Sequence, residues 1–131
     1  MVYGNNLFSY NFLSEQFPKR VDWDIDDILI VTIDIEVACE NGFPSPEQAI
    51  EPLLSITVKN HQSKKFVVWG IGKFNNTRDD VTYVECESEL HLIKEFLIFW
   101  EKHQPDIITG WNTEFFDIPY LCNLSLIHIS E

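Results

Sequence analysis

Ile28-Leu29-Ile30-Val31-Thr32-Ile33-Asp34-Ile35-Glu36-Val37 is β-branched almost throughout and reads as a strand. A run this apolar fits a strand covered on both faces, yet it carries two carboxylates. Asp34 and Glu36 stand two positions apart, so period-two geometry turns both side chains to one face. Burying carboxylates side by side costs solvation and adds like-charge repulsion. No Lys or Arg lies in the strand or close beside it to neutralise them. Either hard oxygen ligands hold a divalent cation here, magnesium or manganese, or the strand end is solvated and the pair sits at its rim.

Upstream, Leu7, Tyr10, Leu13 and Phe17 recur every three to four residues, which predicts a short amphipathic helix closed by Pro18. Val21 to Asp27 is acidic and turn-like. Downstream, Glu40 to Pro52 is rich in Gly and Pro and reads as a loop. Leu53 to Val58 and Phe66 to Gly70 predict an antiparallel hairpin across the polar turn Asn60 to Lys65, with a weaker strand over Val81 to Glu85. Ser88 is a good N-cap, and Leu90, Ile93, Phe96, Leu97 and Trp100 follow at helical spacing. That helix ends near His103 to Pro105. Asp106 to Thr109 is a short strand, Gly110 turns the chain, and a second helix starts from about Thr113. The order is three antiparallel strands, a weak fourth, a helix, a strand and a helix. It describes an α/β domain of ribonuclease-H-like architecture.

The chain has 131 residues, enough for one domain with a modest core. No apolar stretch is long enough to span a bilayer, and residues 1–20 lack the features of a secretory signal. Cys39, Cys86 and Cys122 form no CxxC pair, which fits a reducing cytoplasm better than a disulfide framework. The four histidines lack metal-ligand spacing, so zinc is not expected. A net charge of −12 disfavours a large surface for DNA but suits a site that concentrates carboxylates around cations. The basic residues are uneven: Lys59, Lys64, Lys65, Lys73 and Arg78 share one short span. They either guard a solvated hairpin edge or touch a nucleic-acid backbone.

The second constellation is Thr109-Gly110-Trp111-Asn112-Thr113-Glu114-Phe115-Phe116-Asp117-Ile118-Pro119-Tyr120. It leaves a strand and opens a helix, with Asp117 in a first helical turn and Pro119 tolerated near that start. Such strand-to-helix switches lie at the sheet edge where sites form. Taken singly, Asp117 is also a dipole-stabilised helix-start residue and Asn112 a turn former.

Together the segments are specific. Asp34-Ile35-Glu36 resembles the first exonuclease motif of family B DNA polymerases, and Asn112 to Asp117 resembles the second. Tyr3-Gly4-Asn5-Asn6, Gly42-Phe43-Pro44 with Pro46, and Asp117-Ile118-Pro119-Tyr120 extend the likeness, which is strongest to members from T4-type bacteriophages and covers residues 3 to 123. The resemblance implies a 3′→5′ proofreading nuclease that hydrolyses single-stranded 3′ ends with two Mg²⁺ or Mn²⁺ ions. In it Asp34 bridges both ions, Glu36 helps hold the ion that activates water, and Asp117 holds the second. Phe43 matches a position that stacks on bases of the frayed primer end, Asn112 positions the strand or the site wall, and Phe116 packs beneath. The implied partners are primer-template DNA and a polymerase module of a longer chain, in a host's cytoplasm if the source is viral.

The family's third motif, a Tyr followed by a fourth carboxylate, is missing, and the segment between the two motifs present is shorter than in phage members. Three segments are therefore expected: a helical and linker segment over 1–27, an incomplete exonuclease domain over 28–123, and a tail over 124–131 foreign to the family. On its own such a chain is expected to be inactive. Two other readings stay open, a non-catalytic nucleic-acid-binding or scaffold module with a nuclease fold and a stand-alone four-carboxylate exonuclease.

Overall fold

The computed structural model describes residues 8–40 and 42–130, the last two without their side chains. Leu7 and the Tyr3-Gly4-Asn5-Asn6 stretch lie outside the described residues. Helix α1 (Phe8–Gln16) leads into strand β1 (Ile30–Val37), the hairpin β2 (Leu53–Asn60) and β3 (Phe66–Ile71), and β4 (Val81–Cys86). Helix α2 (Glu89–His103), β5 (Ile107–Thr109) and α3 (Asp117–Ser130) follow. Among the described residues the strands form one sheet in the order β4-β3-β2-β1-β5. β1, β2 and β3 pair antiparallel, whereas β4 joins β3 and β5 joins β1 in parallel. The fold is thus α/β with a mixed sheet and leading antiparallel strands, as the sequence implied.

The strand that decided the reading is central but covered on one side only. Val31, Ile33 and Ile35 are buried, while Asp34 and Glu36 on the opposite face are exposed. The expectation of a strand covered on both faces is corrected here, because both long helices that pack on the sheet contribute to a single apolar cluster. From α2 come Leu92, Ile93 and Phe96, and from α3 come Tyr120 and Leu124, all packed with Ile33, Leu53, Ile56 and Trp69. Each fully buried aliphatic side chain contributes about 1.5–3 kcal/mol. Trp69 is held between the edges of Phe96 and Phe99, at 5.6 and 4.9 Å between ring centres.

Ser88 caps α2 as expected, its hydroxyl accepting from the His91 N–H at 3.2 Å. The buried stripe of α2 is rotated from the expected one. Leu92 is fully buried, whereas Leu90 and Leu97 are exposed. α1 follows the expected spacing and stops before Pro18, but it buries nothing, and Phe8, Tyr10, Phe12, Leu13 and Phe17 are all exposed. α3 starts at Asp117 rather than Thr113, and it runs without a break through the boundary expected after Asn123. The apolar-polar alternation over residues 124–131 reads as a strand only locally. Leu124 is buried in the core, which favours continuing the helix that carries it.

A groove lined by carboxylates and aromatic rings

Four segments meet at the carboxyl end of β1. Its exposed face presents Asp34 and Glu36. The loop from 38 to 52 brings Phe43 and Pro44, and the turn after β5 brings Trp111, Asn112 and Phe116. The first turn of α3 brings Asp117. Together they line a groove of about 370 Å³ that contains all six residues singled out from the sequence: Asp34, Glu36, Phe43, Asn112, Phe116 and Asp117.

The local backbone explains the convergence. β5 pairs with β1 through Thr32 and Thr109, so the chain leaving β5 must turn beside the end of β1. Gly110 makes that turn: a Cβ there would collide with the Thr113 hydroxyl and meet the Ile33 carbonyl oxygen at 2.5 Å. No larger residue fits so close to a central-strand backbone. Asn112 adopts a left-handed conformation with φ of 56°, which Asn tolerates better than most residues. Its carbonyl accepts from the N–H groups of Phe115 and Phe116, tightening the approach to α3. The Thr113 hydroxyl is buried and, among the described residues, has no hydrogen-bond partner.

Asp117 is buried, and its Oδ1 accepts the Ile35 N–H at 3.0 Å. This bond ties the start of α3 to the middle of β1, between the two exposed acids. Burial pushes the Asp117 carboxyl above its ordinary range, the negative charges of Asp34 and Glu36 push the same way, and the Ile35 bond opposes them. Asp34 and Glu36 thus disfavour the charge on Asp117, a repulsion that a bound cation would relieve. Their donor chemistry fits a hard divalent ion. Their arrangement is less complete: among the described residues, no three acidic, His or Cys side chains stand close enough together to hold one. Asp117 spends an oxygen on the backbone, while Asp34 and Glu36 face solvent.

The aromatic side of the groove is graded. Phe43 is 84% exposed and leans on Phe116 at 5.3 Å between ring centres. Phe116 is half-buried and stacks in turn toward Tyr120 in the core, at 5.6 Å. The loop that carries Phe43 is fastened to α3, where the Tyr120 hydroxyl donates to the Glu51 carbonyl and the Asn123 amide to the Pro46 carbonyl. Trp111 and Cys39 also line the groove and were given no role by sequence reasoning. Trp111 is 91% exposed beside a carboxylate site. Its place inside the Thr-Gly-Trp-Asn stretch was the signal available for it.

The "DNA-directed DNA polymerase" of Escherichia phage RB69 is 30% identical over 145 residues, covering 92% of this chain and 16% of that protein. The enzyme of the same name from Enterobacteria phage T4 is 26% identical over the same share of each chain. A "DNA polymerase" of Pyrococcus glycovorans is 30% identical over 97 residues, 73% of this chain and 11% of its own length. The chain thus spans about a sixth of the phage relatives. The phage alignments are longer than the chain itself, so those proteins carry residues that this one lacks. Residues 5–125 match the family described as DNA polymerase family B, exonuclease domain, whose fold is ribonuclease-H-like, and the chain therefore belongs to that family.

Proposed function

We propose that the groove receives the 3′ end of single-stranded DNA for proofreading hydrolysis in DNA replication. The observation that carries this reading is the meeting of Asp34, Glu36, Phe43, Asn112, Phe116 and Asp117, from four segments, around one groove. Asp34, Glu36 and Asp117 are the proposed ligands of Mg²⁺ or Mn²⁺. Two such ions, when bound, supply an activated water and stabilise the leaving 3′ oxygen. Phe43, exposed and backed by Phe116, offers a face on which any base stacks, and stacking does not discriminate sequence. Asn112, which lines the groove, positions the strand or the site wall. The nuclease unit is residues 28–123 together with Leu124, following a helical and linker segment over 1–27, with the remainder of α3 as an appendage. The partners are primer-template DNA and the polymerase module of a longer protein, and the setting is a host's cytoplasm.

A second reading, a nucleic-acid-binding module without catalysis, is favoured for the chain by itself because no three-donor cluster forms among the described residues. An oligonucleotide ending in a 3′-terminal 4-thiothymidine separates these points. With Mn²⁺ present, the 3′ end should cross-link to Phe43, Trp111 or Cys39, and Asp34→Asn with Glu36→Gln should abolish the dependence on Mn²⁺. Mononucleotide release by the chain alone should stay at background. Cross-links confined to other surfaces would overturn the site. Vigorous release that Asp34→Ala abolishes would overturn the inactivity of the chain alone.

A further inference from the structure

Charge is segregated along this chain. Residues 52–78 hold Lys59, Lys64, Lys65, Lys73 and Arg78 and not one Asp or Glu, in a sequence whose net charge is −12. The register places part of this segment on the same sheet face as the carboxylates. Glu36 lies opposite Ser55, which pairs with Gly70. Asp34 lies opposite Thr57, then Val68, then Tyr83. Thr32 lies opposite Lys59, then Phe66, then Val81. Acidic character therefore gives way to hydroxyls and then to cations and rings across one continuous face.

The lysines here are presented rather than neutralised, whereas the Arg78 guanidinium donates to both oxygens of Asp80. Lys59 and Arg78 both sit over the Phe66 ring, at 5.5 and 5.3 Å. Among the described residues, none of the four lysines makes an ion pair, and Arg78 alone is paired, with Asp80 at 2.6 Å. The connection from 72 to 80 arches over the face and leaves a groove of about 500 Å³ lined by Lys73, Phe74, Arg78 and Tyr83. Tyr83 lies across Gly70 and donates to the Gly72 carbonyl at 2.6 Å, while the Phe74 ring packs against it at a tilt, 5.4 Å between centres. Cations interleaved with rings, along a line that starts at Lys59 on the strand paired with β1, match the phosphates and bases of a single strand.

We propose that Lys59, Lys73 and Arg78, with Phe66, Phe74 and Tyr83, form a track on the open sheet face that binds the nucleotides upstream of a single-stranded DNA 3′ end. This rests on the reading of the carboxylate groove as the 3′-end site. Anisotropy of a 5′-fluorescein oligothymidine of about 12 nucleotides, measured across salt concentrations, tests it. The triple variant Lys59→Gln/Lys73→Gln/Arg78→Gln should bind about tenfold more weakly, and the slope of log affinity on log salt should shrink by about 2. Lys94→Gln/Lys102→Gln, which removes charge from α2 instead, should bind within about twofold of the unmodified chain. Lys73→Gln alone, at an exposed loop position, should lower affinity on the order of threefold, and it keeps the test valid if the triple variant fails to fold. Unchanged binding by the track variants would overturn the proposal and leave that face to a protein segment. An equal loss in the α2 variant would also overturn it. The 3′-end cross-link is independent of these lysines, so failure of the carboxylate reading and failure of the track are told apart.

Discussion

Asp117 shows how one side chain couples the fold to the site. Its Oδ1 holds the Ile35 N–H, yet burial and the neighbouring acids disfavour its charge. A carboxyl whose folded pKa is raised binds its proton more tightly in the native state, so stability falls as pH rises through the interval between its unfolded and folded values. Asp117→Asn keeps an oxygen for the Ile35 bond and removes the repulsion. It should raise the thermal midpoint at neutral pH by about 3 °C, flatten the loss of stability above the ordinary carboxylate range, and abolish any stabilisation by Mn²⁺. Calorimetry between mildly acidic and neutral pH, with and without Mn²⁺, checks all three. An unchanged pH profile in the variant would mean that Asp117 is not the titrating group. Sequence spacing placed Asp117 at a helix start, but only the folded chain shows it wedged against β1, because its partner lies 82 residues away.

At the scale of elements, α3 is the instructive case. Its first turns carry Asp117 and Tyr120, and Leu124 one turn further on is 3% exposed. Beyond it Leu126 and Ile127 are exposed, and His128 reaches back to the body, 2.9 Å from Glu89. Glu89 also accepts the Leu53 N–H, so this pair links three elements. Its side chains are partly buried but still open to water, and such a pair contributes about 0–1 kcal/mol. Leu124→Ala should therefore cost about 2–4 kcal/mol, while deleting residues 125–131 should cost about 1 kcal/mol or less. Urea unfolding of both variants decides it, and a larger loss from the deletion would make the last turns part of the core. The helix itself was legible in the sequence, whereas its continuation past Asn123 was not. The local alternation favoured a strand, and the burial of Leu124 against the sheet outweighs that preference.

For the molecule as a whole, apolar surface is unevenly used. α1 and the residues after it expose Phe8, Tyr10, Phe12, Leu13, Phe17 and Trp23 without burying any residue of α1. Exposed patches of this kind mark an interface or an aggregation liability. Replacing Phe8 and Phe12 by Ser and Leu13 by Gln should leave the thermal midpoint within about 2 °C and raise the concentration at which the chain stays monodisperse in light scattering. A drop well beyond that would show that α1 packs on the domain after all. No helix among the described residues is long and apolar enough to cross a membrane.

The sequence by itself determined the order of elements, the central strand, the antiparallel hairpin and the identity of six groove residues. The elements follow from local chemistry, since β-branched runs make strands, a Ser caps a helix, and two acids two apart share a face; Phe43, Asn112, Phe116 and Asp117 were singled out by the resemblance to family B polymerase exonucleases. Tertiary structure alone decided which face of β1 is open, which stripe of α2 is buried, and where α3 begins. It also decided that Phe43 rests on Phe116 and that Lys59 and Arg78 share the Phe66 ring. Those outcomes depend on register and on which helices cover the sheet, and both are set by contacts between residues far apart in the chain. Periodicity gives the faces of each element, but only packing selects which of them is dry.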